Sequence, residues 1–214
     1  ISPENPYFKY LNNTQKVLIG KSNLEADDYD NIVFANRHMP TIFVPPNIKR
    51  INSDAFSYSK LQNIKFAENS QLITISNNAF KCSLIESVNI PPSVKELGKK
   101  CFCFCEKMRA LTFSEDSELE VIGRNAFTYT KIRNLFIPSK VRLMRGNPIT
   151  NTNNLFAISI SPKNRFFMSP ANCKGLILCK KDEDSENHEI LVCAKNNITT
   201  AIIPPYVTSI NSFA

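Results

Sequence analysis

The residues of this 214-residue chain whose types and spacing could do chemistry are seven cysteines, two histidines and a few close carboxylates. Cys101, Cys103 and Cys105 alternate with Phe102 and Phe104, Cys82 precedes them, and Cys173, Cys179 and Cys193 lie toward the C-terminus. A tetrahedral zinc site needs closely spaced cysteine pairs or added histidine. The only histidines, His38 and His188, are far from the cysteine run in sequence, so no metal and no cofactor is expected. A disulfide among Cys173, Cys179 and Cys193 is left open. The acidic stretch Asp182-Glu183-Asp184-Ser185-Glu186 could suggest calcium. An EF-hand loop begun at Asp182 would need Gly at its sixth position and Glu at its twelfth, where this chain has Asn187 and Cys193. A solvated hairpin tip is the better reading. Glu115-Asp116 falls in a predicted loop and reads as a spacer rather than an acid/base pair. Phosphate-cradling G-x-x-x-x-G-K-[ST] and G-x-G-x-x-G patterns are missing, as is G-x-S-x-G, and five glycines leave little for such loops. The chain is not expected to be an enzyme. Sequons at Asn12 and Asn197 permit glycosylation and do no more than that.

The elements that carry these residues repeat. Ile51-Asn52-Ser53-Asp54-Ala55-Phe56, Ile75-Ser76-Asn77-Asn78-Ala79-Phe80, Leu97-Gly98-Lys99-Lys100-Cys101-Phe102 and Ile122-Gly123-Arg124-Asn125-Ala126-Phe127 share one pattern. In each, an aliphatic residue is followed after three spacers by a small residue and Phe. The Phe positions step by 24, 22 and 25 residues, inside the leucine-rich-repeat range of roughly 20–29. Cys101 fills the small slot of Ala55, Ala79 and Ala126, which reads as a buried small hydrophobe. Cys105 falls near the slot of Ser59 and Thr130. The recurrent Phe reads as a packing spine.

After each small-Phe pair comes a triplet with period 2: Ile64-Lys65-Phe66, Val88-Asn89-Ile90, Leu111-Thr112-Phe113, Leu135-Phe136-Ile137 and Ile158-Ser159-Ile160. Their first and last residues point one way and the middle residue the other. Recurring every 22 to 24 residues, they predict a parallel ladder. The strands end either at proline (Pro45-Pro46, Pro91-Pro92, Pro138) or in an acidic loop (Ala67 to Ser70, Ser114 to Ser117). Outward residues then form columns. One runs Phe43, Lys65, Asn89, Thr112, Phe136, Ser159, Ile202, and its neighbour runs Gln62, Glu86, Arg109, Arg133, Phe156. Gln62, Lys65, Asn89, Arg109, Thr112, Arg133 and Phe136 are the candidate ligand-contacting residues, Phe136 because an outward aromatic is a common interface anchor.

The two ends are one piece in two copies, since residues 1–55 align without gaps to 160–214 at an offset of 159. Each copy carries two short apolar runs about a polar loop, the signature of a β-hairpin. These are Val17-Leu18-Ile19 with Ile32-Val33-Phe34, and Leu176-Ile177-Leu178 with Ile190-Leu191-Val192. The organisation expected is a single array: a hairpin-bearing repeat at 1–43, about five regular turns of 22–25 residues over 44–159, and a second hairpin-bearing repeat at 160–214. Neither end looks like a cap, so a longer natural array is expected. No run of about 20 apolar residues is present to span a membrane. A net charge of +7 and pI near 9.0 permit anionic partners such as glycans. The charge is scattered, with no aromatic-interleaved basic stripe, which argues against specific nucleic-acid recognition.

The turn Ile90 to Gly98 (Ile-Pro-Pro-Ser-Val-Lys-Glu-Leu-Gly), the small-Phe pair and the spacing of Cys105 to Met108 resemble the BspA-like, treponeme-type leucine-rich repeats. The Asn5-Pro6-Tyr7-Phe8 hairpin element is similar to a recurrent insertion of that family. The resemblance implies a leucine-rich-repeat solenoid: a parallel β-ladder on one face, short helical or irregular turns, and β-hairpin insertions. It also implies a cell-surface adhesion protein that contacts host or matrix proteins. The alternative is a structural spacer or self-associating scaffold. One turn departs from the pattern: Gly146-Asn147-Pro148-Ile149-Thr150 replaces the small-Phe pair, which predicts a looser turn there.

Overall fold

In the computed structural model the described residues are all but 3, 14, 15, 24, 26, 172–174, 196, 197 and 213, together with the side chain of 13. The chain winds as a β-solenoid with two parallel ladders. The expected ladder consists of Thr41–Val44, Asn63–Phe66, Ser87–Ile90, Ala110–Phe113, Asn134–Ile137 and Ala157–Ile160. The pairings Phe43↔Lys65, Asn89↔Thr112 and Phe136↔Ser159 confirm its register, although strand hydrogen bonding lapses between Ala110–Phe113 and Asn134–Ile137.

The second ladder consists of two-residue strands: Arg50–Ile51, Thr74–Ile75, Glu96–Leu97, Val121–Ile122 and Leu143–Met144. The aliphatic that opens each repeat signature is the second residue of such a strand and is buried. Of the two forms expected for the turns, helical or irregular, the structure has the irregular one. Among the described residues the one helical element is a short 3-10 turn, Leu11–Asn13.

The corner between the ladders is a train of overlapping turns. The N–H groups of Ala55, Ser57 and Ser59 bond back to the carbonyls of Asn52, Asp54 and Phe56. Those of Asp54, Phe56 and Tyr58 bond across to Asn77, Ala79 and Lys81 of the next turn. Aiming alternate N–H groups in opposite senses requires left-handed residues at fixed places. Asp54, Asn78, Lys100 and Asn125 form one left-handed column with φ of 56–60°, and Tyr58, Cys82, Phe104 and Tyr129 form a second. Such conformations cost a non-glycine residue on the order of 1–3 kcal/mol, and here the cross-turn hydrogen bonds hold them.

Inside these corners Phe56, Phe80, Phe102 and Phe127 are fully buried and stack face to face, with centroid separations of 5.1, 5.1 and 6.3 Å. The turn expected to be looser keeps the slots of the repeat, although its backbone differs: Gly146 takes φ of 90° and the first left-handed column ends at Asn125. Pro148 takes the small slot, its carbonyl accepting the Phe127 N–H at 2.8 Å, and Ile149 takes the Phe slot at 1% exposure. Proline lacks the N–H that the small residue donates within the turn. The Asn147 Oδ1 takes over the local bonding by accepting the Ile149 N–H at 2.9 Å.

Each hairpin is a three-stranded antiparallel meander, one strand more than the two apolar runs suggest. Phe8–Tyr10, Val17–Gly20 and Asn31–Ala35 form the first, and Phe167–Met168, Leu176–Cys179 and Ile190–Ala194 the second. The added strand is held by an Asn: Asn5 Oδ1 accepts the N–H groups of Tyr7 and Phe8, and Asn164 Oδ1 those of Phe166 and Phe167. Both copies have a bulge at the same place, Leu18/Ile19 and Ile177/Leu178. Asn164 Nδ2 also donates to the carbonyls of Pro138 (2.7 Å) and Val141 (3.0 Å), docking the second hairpin on the preceding turn. Among the described residues no helix is long and apolar enough to cross a membrane.

Candidate ligand-binding face

The long-strand ladder gives the candidate residues two settings. Lys65, Asn89 and Thr112 are exposed at successive outward positions of the strand face, and Thr112 Oγ1 donates to Asn89 Oδ1 at 2.9 Å. Phe136 follows on this face but is partly buried. Ile202 is 65% exposed, yet Ala201–Ile203 forms no strand, so the column stops at Ser159 rather than at Ile202.

Gln62, Arg109 and Arg133 sit three positions earlier, on the edge where each long strand begins. Backbone bonds align that edge: Glu86 N–H to Gln62 carbonyl at 3.2 Å, Arg109 N–H to Glu86 carbonyl at 2.8 Å, and Phe156 N–H to Arg133 carbonyl at 2.7 Å. Three shallow grooves gather most of the candidates. Gln62 and Arg109 share one with Leu84, Glu86 and Lys107. Lys65 and Asn89 line a second beside Glu68, Pro91 and Pro92, and Arg133 lines a third with Asn134, Asn154 and Phe156. Thr112 and Phe136 line none of the three. Sequence reasoning passed over Lys107 and Lys131 and put no weight on Phe156, which at 78% is the most exposed large hydrophobic residue among those described. The signal for them was available, because each flanks or extends an edge position at the repeat spacing.

Four of the six described thiols are buried. Cys101 is fully buried in the small slot, and Cys105 donates to the Phe80 carbonyl at 3.0 Å with its sulfur 3.4 Å from Ser83 Oγ. Burial pushes the Cys105 and Cys193 thiols up to about 12 and that of Cys179 to about 11, and drives Cys101 up as well. All six described thiols are free; Cys173 lies outside the described residues. Burial, with Lys180 nearby, lowers the pKa of His188, while His38 is exposed in a loop. Asn12 is exposed with φ of 54°, whereas Asn197 and the Thr14 of the first sequon lie outside the described residues. Among the described residues, no group of three or more His, Cys, Asp and Glu is arranged to hold a metal.

The thiols carry a stability prediction. Their folded pKa values lie above the ordinary value of 9.0. The unfolded chain therefore gives up thiol protons first as pH rises, and stability present below about pH 9 is lost above it. Cys101→Ala should change stability at pH 7 by less than about 1 kcal/mol, because three sister turns hold Ala there, and should flatten part of the alkaline loss. Urea titrations between pH 7 and 10.5 measure both effects.

The stacked corners, paired ladders and 22–25-residue step together specify the repeat type. The BspA type leucine rich repeat region matches residues 28–156 in six copies, more than half of the chain. This chain belongs to the BspA-type leucine-rich repeat family. Solved structures with the same fold include the pneumococcal vaccine antigen PcpA, at TM-score 0.75 and 24% identity over 85% of this chain and 46% of that one. A leucine rich cell surface protein from Faecalibacterium prausnitzii gives 0.55 and 16% identity over 91% and 63%. A leucine-rich repeat protein from Eubacterium ventriosum gives 0.51 and 17% identity over 81% and 38%. At these identities the likeness is one of fold, and the chain spans less than two thirds of each of these structures. No curated protein sequence matches it significantly.

Proposed function

We propose that this BspA-type chain is a non-catalytic, cell-surface adhesion solenoid that binds host or matrix proteins through the long-strand face and its edge. The observation that carries the reading is the register of the ladder. Lys65, Asn89 and Thr112 are held outward on consecutive turns, with Gln62, Arg109 and Arg133 in a parallel row beside them. A ligand laid across the turns meets chemically varied groups at a fixed step. Each contact adds a small increment, and several together give useful affinity. A surface location agrees with the descriptions of two fold relatives, a cell surface protein and a vaccine antigen.

The experiment is direct binding to a panel of matrix proteins and cells at two salt concentrations. Saturable, salt-tolerant binding that falls about tenfold or more in a Phe136→Ala, Arg133→Ala variant is the expected result, in line with loss of an aromatic and an arginine anchor. Binding that the variant leaves intact removes the face from consideration.

A scaffold reading draws on a different observation. Ala157–Ile160 is hydrogen-bonded to a strand on one side only among the described residues, and an open edge invites strand pairing between molecules. Concentration-dependent oligomers in sedimentation velocity, with no binding in the panel, would favour it.

A further inference from the structure

Two pairs of cations stand one above the other on the edge of the long-strand ladder. Lys107 and Arg109 flank the buried Met108, Lys131 and Arg133 flank the buried Ile132, and all four are exposed. The Lys131 N–H donates to the Met108 carbonyl at 2.9 Å, which fixes the two pairs on adjacent turns. Lys107 and Arg109 precede the strand Ala110–Phe113, and Lys131 and Arg133 precede Asn134–Ile137, so the four form a two-by-two grid across the two turns. Among the described residues none of the four makes an ion pair, whereas beside the short-strand ladder Lys140, Arg142 and Arg145 are each matched to a carboxylate, on Glu118, Glu120 and Glu96. The carboxylates beside the grid are Glu86, which shares a groove with Lys107 and Arg109, and Glu106, next to Lys107 in the chain. Like charges gathered on one surface repel one another, so the arrangement gives nothing to the fold and suits a ligand that brings the opposite charge.

What adjoins the grid narrows the ligand. Arg133 shares its groove with Asn134, Asn154 and the ring of Phe156, 78% exposed. A further cation, Lys195, reaches this spot by donating to the Phe156 carbonyl at 2.9 Å. The open ring offers a flat apolar surface for the C–H face of a sugar. Two amides offer donors and acceptors together, which ring hydroxyls need, and the guanidinium and ammonium groups take sulfate or carboxylate oxygens. We propose that this edge binds a sulfated or carboxylated polysaccharide chain, with Lys107, Arg109, Lys131 and Arg133 on its anionic groups and Phe156 beneath a sugar ring. The proposal does not depend on a protein ligand for the strand face.

Heparin is the probe, titrated calorimetrically over a range of salt. Lys107→Gln with Lys131→Gln should weaken binding about tenfold and lower the salt slope by about two. Lys95→Gln with Lys99→Gln removes the same charge elsewhere and should leave binding within about twofold. Phe156→Ala should weaken binding roughly three- to tenfold without changing the salt slope. Equal losses in the two lysine pairs would mean diffuse attraction to a basic protein and overturn the site. An unaffected Phe156→Ala variant, or no heparin binding at all, overturns it too. Competition by polyglutamate as strong as by heparin would replace the glycan with an acidic peptide. A Phe136→Ala variant that loses protein ligands yet keeps heparin separates this site from the adhesion reading.

Discussion

Phe102→Ala should be the most damaging core substitution in the chain, lowering stability by about 3–5 kcal/mol. The ring is fully buried between Phe80, at 5.1 Å with planes 4° apart, and Phe127, at 6.3 Å. Removing it opens a cavity and also breaks two aromatic contacts, each worth about 0.5–1.5 kcal/mol beyond area burial. Position in the array adds a second effect. A solenoid is stabilised by nearest-neighbour interfaces, and Phe102 belongs to the middle of the stack, so its loss weakens the coupling between the turns on either side. Urea unfolding followed by circular dichroism should show a lower midpoint and a broadened or split transition. Phe102→Leu, which refills most of the volume, should recover much of the loss and keep a single transition. A change below about 1 kcal/mol for the alanine variant would mean that the stack is not a continuous spine.

Gly123→Ala should rival it through the backbone. A Cβ at Gly123 would lie 2.4 Å from the carbonyl carbon of Gly98, 2.5 Å from the Lys99 nitrogen and 2.7 Å from the Gly98 oxygen. All three are main-chain atoms of the preceding turn, so no rotamer change relieves the contact. The turns are tied there by the Gly123 N–H to Leu97 carbonyl bond of 2.7 Å and the Lys100 N–H to Arg124 carbonyl bond of 3.0 Å. Separating them enough to admit a methyl group breaks that stitching, for a loss of about 3 kcal/mol. Gly98→Ala meets the backbone of Ser76 and Asn77 at 2.6 Å and should behave alike. Asn52, Ser76 and Arg145 hold the same slot with side chains in other turns; at Gly98 and Gly123 the backbone of the preceding turn stands in that space. Thermal melts of the two glycine variants beside a Ser76→Ala control test this. The control should stay within about 1 kcal/mol of the parent.

Much of this architecture was legible from residue types alone. Phe56, Phe80, Phe102 and Phe127 are large enough, and paired with small enough neighbours, that their spacing announces a buried column. The triplets around Lys65 and Asn89 show period 2 clearly. The short-strand ladder was not legible, because two residues such as Thr74 and Ile75 are too few to display an alternation. Nor were the left-handed columns: Asp54, Asn78 and Asn125 hint at them, but Lys100, Tyr58 and Phe104 are poor residues for that conformation and are kept there by neighbouring turns. Ile149 escaped notice because a branched aliphatic can fill the end of an aromatic stack. At the surface, period 2 correctly placed Lys65, Asn89 and Thr112 outside. It could not reveal that Phe136 is partly buried, nor that charge scattered along the chain gathers at Lys107, Arg109, Lys131 and Arg133. That gathering depends on a register between turns which no single stretch contains.

The hairpin that occurs twice, down to its bulge and its Asn5 or Asn164 clasp, makes this chain a ruler with a marked division. Six turns separate Thr41 from its counterpart Thr200. At about 4.8 Å a turn, one division is on the order of 30 Å. A recombination event that inserts or deletes one whole division joins like to like, so every ladder stays in register and no new seam has to be evolved. A lineage carrying such a repeat can therefore change how far the solenoid reaches by large, fixed steps in one generation, while point mutation is left free to alter what the reach delivers.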